Sequence, residues 1–260
     1  MVRNDIRISS REPLAQDFKI ISYEQKAPIP IDRDKWLRLW SPGGAYFNNN
    51  HGFSSDYQPY GEWVNGKEIR VFREPSVARP CLEATVEGLC EMVDELGLKL
   101  DVLDYDIEAS VQPMIDASTE YGVLDGEQLS RRLFAESYRD TNKGGKQHAD
   151  VLLTSKPLRL GDENWGETRF NTGAMIMSLP QGRQGSYDFI GNVAKHEAAH
   201  LLGFQEHHAR VGNVIGYAEP EDCLTNWQCS TRDICERDED ALLAFWLGIE
   251  QKTGQQYLKR

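Results

Sequence analysis

The chain has 260 residues, 40% of them hydrophobic and 10% aromatic, which suits one sizeable core with extensions and excludes a disordered or collagen-like polymer. Its 41 acidic residues against 29 basic ones leave a formal net charge of −12, a field that repels phosphate backbones and anionic headgroups, so nucleic acid is not expected as a partner. No apolar run approaches the roughly 18 to 20 residues of a membrane-spanning helix, and the polar start Met1 to Pro13 lacks the apolar stretch of a secretory signal. The expectation is a cytoplasmic protein without membrane association.

From Met1 to Lys67 the chain is rich in Pro, Gly, Asn and aromatic residues and shows no sustained period of 2 or 3.6. Residues 1–67 read as an irregular N-terminal extension. Trp36, Trp40, Tyr46, Phe47, Tyr57, Tyr60 and Trp63 carry too much apolar area for a free linker, which suggests that the extension packs on the core, residues 68–260.

At Glu68 the pattern changes. EIRVFRE reads as a strand, and Leu82, Val86, Leu89, Cys90 and Val93 follow at helical spacing between Cys81 and Leu96. LKLDVLDYD (Leu98 to Asp106) is a second strand, DGEQLSRRLFAESYRD a helix capped by Asp125, and ADVLLTS a third strand. TGAMIMSL (Thr172 to Leu179) is a further strand, Ser186 to Leu202 a helix that stops at Gly203, and a helix closes the C-terminal part. Alternating strands and helices predict an α/β (α+β) fold, a twisted, mostly parallel sheet packed with helices.

Four of the six histidines, His196, His200, His207 and His208, lie within 13 residues, where even scatter would place about 0.3. Residues i and i+4 sit one above the other on a helix, so His196 and His200 can aim two imidazole nitrogens at one zinc ion. Glu197 is turned by about 100° from His196, too far round to be a natural ligand but within reach of a metal-bound water, and is the candidate general base. The alternative is a surface helix that carries His and Glu as ordinary polar residues. The LLG that follows HEAAH argues for the metal, because a glycine able to take a left-handed conformation lets the chain turn back towards the helix just before paired histidines.

HEAAHLLGFQEHH resembles the HExxHxxGxxH signature of the metzincin zinc metallopeptidases. With DCLTNWQCSTRDICERD downstream it is most similar to the archaemetzincins, in which a cysteine follows the third histidine and later cysteines bind a second zinc. The resemblance implies a metzincin-like zincin fold, a catalytic Zn²⁺ and peptide or protein substrates. It implies His196, His200 and a third ligand at the zinc, with Glu197 as base. The third-ligand position is occupied by Glu206; His207 comes one residue later and is favoured, which puts His208 where the family has its cysteine. A second, structural zinc would draw on His208, Cys223, Cys229, Cys235 and Asp238, whereas on the residues alone these cysteines are equally well small buried side chains.

Two further departures concern the family's Cys-x-Met turn, which reads Cys223-Leu224-Thr225, and its closing CxxC, which reads CERD from Cys235 to Asp238. In metzincins the substrate lies antiparallel to an edge strand above the active-site helix, and TGAMIMSL is the candidate for that strand, beside its reading as an ordinary buried one. Cys81 and Cys90 are assigned to the core. Two other readings compete. One is a non-catalytic zinc-binding protein in which Glu206 fills the open coordination position; the other is a zincin of another kind, with Glu236 or Glu239 as third ligand.

Overall fold

The computed structural model describes residues 3–7, 20–24, 66–107, 111–142, 148–161, 164–169, 173–204, 224 and 231–259. Within the N-terminal stretch two short strands, β1 (Arg3–Arg7) and β2 (Ile20–Glu24), pair antiparallel, with Arg3 opposite Glu24 and Arg7 opposite Ile20.

The core is a five-stranded sheet. In chain order its strands are β3 (Glu68–Arg73), β4 (Asp101–Asp106), β7 (Ala149–Thr154), β8 (Gly166–Arg169) and β9 (Ala174–Ser178). A two-residue pair, β5 (Thr119–Glu120) with β6 (Val123–Leu124), stands apart. The order across the sheet is β4-β3-β7-β9-β8, parallel throughout except that β8 runs antiparallel to β9 at one edge.

Parallel strands need crossover connections: α1 (Arg79–Glu95) links β3 to β4, α2 (Val111–Ala117) and α3 (Gly126–Asn142) lie between β4 and β7, and β7 returns to β9 by way of β8, while helices cover both faces. Helices α1, α4 (Tyr187–Leu201) and α5 (Glu236–Thr253) contribute to the larger core together with Ile69, Val71, Val151, Met175 and Met177. Phe72, Tyr105, Leu152 and Ile176 point to the other face and meet Leu129 and Leu133 of α3 and Ile115 of α2. Since both faces are covered, β7 and β9 are buried at every position, which is why they appear in the sequence as mainly apolar segments around VLL and AMIM.

Most predicted elements are present. Asp125 caps α3 by accepting the Gln128 N–H at 2.9 Å. Helix α4 ends where Gly203 takes φ +123°, and the Phe204 N–H bonds the Ala199 carbonyl while the Gly203 N–H bonds that of His200. A Cβ on Gly203 would also meet the Phe245 ring of α5 at 2.6 Å, so both conformation and space require glycine there. Cys81 and Cys90 are buried in the core as expected, and burial pushes the Cys90 thiol up to about 12.

The elements not foreseen are the β1–β2 pair within the stretch expected to be irregular, α2, the β5–β6 pair and β8. The last corrects one expectation. TGAMIMSL forms β9, which has β7 on one side and β8 on the other, so the strand proposed for substrate pairing is internal, and the edge above α4 belongs to β8. Among the described residues no helix is long and apolar enough to cross a membrane.

Candidate metal centre

Helix α4 brings His196, Glu197 and His200 to its last two turns. His196 is 4% exposed and Glu197 9%, so these polar groups are held inside the fold. His196 Nδ1 lies 2.8 Å from the Leu224 carbonyl oxygen and His200 Nδ1 lies 2.6 Å from that of Phe204. A carbonyl oxygen only accepts, so each ring carries its proton on Nδ1 and, when neutral, presents a lone pair at Nε2.

These two Nε2 atoms are 3.1 Å apart, with the rings crossed at 79°. Two nitrogen donors at 2.0–2.1 Å from a tetrahedral zinc stand about 3.3 Å from each other, so the pair fits one ion. Two neutral lone pairs that close repel, and a cation between them turns the repulsion into attraction. The donor chemistry therefore fits zinc, with the backbone carbonyls acting as the outer partners that fix tautomer and ring orientation.

The Glu197 carboxylate lies against the edge strand. Thr168 of β8 donates its hydroxyl to Glu197 Oε2 at 2.5 Å and also lies 3.3 Å from the Glu197 carbonyl oxygen. Two residues earlier, Gly166 leaves the space the carboxylate occupies: a Cβ there would fall 2.6 Å from Glu197 Cγ and 2.8 Å from Cδ and Oε1. Burial lifts the Glu197 carboxyl above its ordinary range, with the neighbouring Glu167 adding to the rise; the charge of His196 and the Thr168 hydroxyl work against it.

The start of β8 is pinned in turn. Trp165 packs edge-on against Phe189 of α4 with centroids 4.8 Å apart, and the Arg183 guanidinium lies 4.5 Å from the Trp165 ring. The Ser178 N–H bonds the Trp165 carbonyl at 2.7 Å, which sets the ladder phase. By antiparallel alternation the main-chain groups of Glu167 and Arg169 face β9, and those of Gly166 and Thr168 face the open edge.

Of the predicted site residues, His196, Glu197 and His200 are thus brought together. Glu206, His207, His208, Cys223, Thr225 and Cys229 lie outside the described residues. Cys235 precedes the first turn of α5, and Asp238, 2% exposed, lies within that turn, its N–H on the Cys235 carbonyl at 3.0 Å. Among the described residues no group of three or more His, Cys, Asp or Glu side chains is placed to hold a metal, so Glu239 does not join the histidine pair. Of the turn expected at Cys223 to Thr225, Leu224 is fully buried in the main core and offers its carbonyl to His196.

Sequence reasoning did not single out Thr168, Gly166 or the Leu224 carbonyl. The contribution of Leu224 is a backbone atom that any residue carries, and Gly166 and Thr168 stand in a four-residue strand with no periodic signal.

The fold is therefore a mixed α/β one, whose helix before the glycine turn offers two imidazoles and a carboxylate beside an antiparallel edge strand. No family model matches the chain, and no curated protein matches it. Eleven chains of solved structures match. One is the crystal structure of archaemetzincin from Methanopyrus kandleri, 16% identical, with a TM-score of 0.44 over 67% of this chain and 92% of that one. The functional reading stands on the side-chain geometry.

Proposed function

We propose that this chain is a zinc-dependent metallopeptidase. The observation that carries the reading is the pair of Nε2 atoms 3.1 Å apart on one helical turn, each fixed in tautomer by a carbonyl, with a buried carboxylate from the residue between them. His196 and His200 would hold the ion, with His207 as third ligand. Bound zinc supplies a Lewis acid and a water acidified towards a pKa of about 7.

Glu197 is the general base. Its Oε2 is held by Thr168, which leaves Oε1 to take the proton of the attacking water and deliver it to the leaving amine. Burial favours the protonated carboxyl, so the proton can stay on Glu197 between the two transfers. A peptide substrate would add as a strand to the open edge of β8, bonding the main chain of Gly166 and Thr168. Under this reading some four of His208, Cys223, Cys229, Cys235 and Asp238 would be the donors for a second, structural zinc.

The test has two parts. Elemental analysis is expected to find at least one zinc per wild-type chain and to show it lost from His196→Ala and His200→Ala, since one helix ligand cannot retain the ion. Glu197→Ala is expected to keep its zinc while cleavage of a broad peptide library falls by a factor on the order of 10² to 10⁴. If wild type cleaves nothing, or both proteins cleave alike, a non-catalytic zinc-binding protein is the better account.

A further inference from the structure

On the side of α4 away from the carboxylate, a lysine is buried beside the candidate metal ligand. Lys195 is 1% exposed; its Nζ is 2.8 Å from Glu95 Oε2 and 3.8 Å from Glu91 Oε2, both on α1. It also donates to the Arg232 carbonyl oxygen at 2.5 Å. The Arg232 side chain is held at the same place, with Nη1 2.9 Å from Glu91 Oε1 and Nε 2.9 Å from Asn192 Oδ1. Gly191 of α4 completes the seat, because a Cβ there would collide with Arg232 Nη2.

A buried charge cluster is costly to assemble and is weak evidence for stability on its own. Its position suggests another use. The next residue, Asp233, accepts the Leu224 N–H on its carbonyl at 2.7 Å, and the Leu224 carbonyl in turn accepts His196 Nδ1–H at 2.8 Å. The path runs from α1 through Lys195 and Arg232 to Leu224 and returns to the residue next to Lys195. Two helices and the segment before α5 thereby decide where one carbonyl oxygen stands, and that oxygen decides which nitrogen of His196 carries the proton.

We propose that Lys195 and Arg232 are positioning residues which, by fastening residues 232–233 to α1 and α4, hold the Leu224 carbonyl against His196 and so set the affinity of the metal site. This rests on the reading of His196 and His200 as metal ligands. Loss of an outer partner of a ligating histidine lowers metal affinity by roughly 10- to 100-fold. Removing the fastening acts at one step further, through the same hydrogen bond.

The experiment measures Zn²⁺ affinity by competition with a chromophoric chelator for wild type, Lys195→Met, Arg232→Met and His196→Ala, with folding checked by circular dichroism. Long-range ¹H–¹⁵N spectra of the metal-free proteins report the His196 tautomer. Lys195→Met and Arg232→Met are each expected to bind Zn²⁺ about tenfold or more weakly and to shift part of the His196 population from Nδ1–H to Nε2–H. Arg232→Lys is expected to recover part of the affinity.

Lys195→Met removes the buried cation 2.8 Å from Glu95, while Glu91 keeps Arg232; if it does not fold, Arg232→Met, at a partly exposed position, decides alone. Wild-type affinity in the variants, with His196→Ala deficient, overturns the positioning role and leaves the metal site standing. Reduced affinity with an unchanged His196 tautomer also overturns it, since a merely structural role would give that result. Full affinity in His196→Ala removes the reading on which the proposal rests.

Discussion

Gly166→Ala tests the seat of Glu197, the proposed general base, without touching a proposed ligand. The backbone of Gly166 is not in the left-handed region, so alanine is conformationally acceptable and the perturbation is the added methyl alone. That methyl would stand 2.6 Å from Glu197 Cγ and 2.8 Å from Cδ and Oε1, so the side chain has to retreat by about 0.4 Å to clear 3.0 Å and by about 0.8 Å to reach ordinary contact. Thr168, on the same strand, still pulls on Oε2, so β8 and the carboxylate cannot both keep their places.

Overpacking of this kind costs about 1–3 kcal/mol, which in a protein of this size is a fall in Tm of a few degrees. For chemistry, a displacement near 1 Å at the reacting group costs on the order of 10² in rate. Gly166→Ala is thus expected to keep its full zinc complement, lose a few degrees of Tm and cleave the most responsive library peptide about 10²-fold more slowly, mainly in kcat. Wild-type kcat in a variant that carries the methyl would refute the reasoning, because the carboxylate would then have room that the packing denies it.

Two other expectations follow from the same corner. Thr168→Val removes a hydrogen bond to a charged group worth about 1.5–3 kcal/mol, so kcat is expected to fall by roughly 10- to 100-fold at unchanged zinc content, and Thr168→Ser to restore most of it; equal rates for Val and Ser would exclude the hydroxyl as the cause. In the metal-free protein the Glu197 carboxyl is raised by burial, so the native state binds its proton more tightly than the unfolded chain does. Stability from this group is complete below the unfolded pKa of about 4.3 and is lost as pH rises through the folded value. Glu197→Gln is accordingly expected to raise Tm at pH 8 relative to wild type and to leave it unchanged at pH 4, and an equal shift at both pH values would count against the burial argument.

How much of this was legible in the sequence depended on whether a feature leaves a period. The central strands were legible because burial on both faces leaves unalternated apolar stretches, VLL in ADVLLT and AMIM in AMIMS. The closeness of the His196 and His200 imidazoles was legible because i, i+4 is both a sequence spacing and a spatial one, and Gly203 because its left-handed turn has a chemical cause. Strand β8 was not: in GETR the glycine and threonine answer to Glu197, which lies 29 residues beyond Thr168 in the chain. Nor was the support of His196, since Leu224 contributes a carbonyl, and Lys195 and Arg232 meet across 37 residues with nothing in the string to pair them. The substrate strand was assigned to the more apolar segment, although the sheet places that segment inside and keeps the polar one at the edge.

The end of the described chain bears on the order in which a newly made polypeptide can finish the site. Phe245 lies under Gly203, Trp246 donates its indole N–H to the Leu202 carbonyl at 3.0 Å, and Glu250 Oε1 accepts the N–H groups of both Tyr257 and Leu258. Leu258 bridges to Leu98, and Lys259 reaches Asp94 on α1. During synthesis the histidine helix is therefore complete long before the residues that brace its final turn exist. Until these residues emerge, the turn after that helix lacks the Phe245 ring under Gly203, the Leu202 carbonyl lacks the Trp246 indole, and Asp94 on α1 lacks Lys259, so the seat of the two imidazoles is completed only after α5 has docked. Under the proposed zinc reading, the ion is therefore expected to be held tightly only late in folding, after α5 has docked.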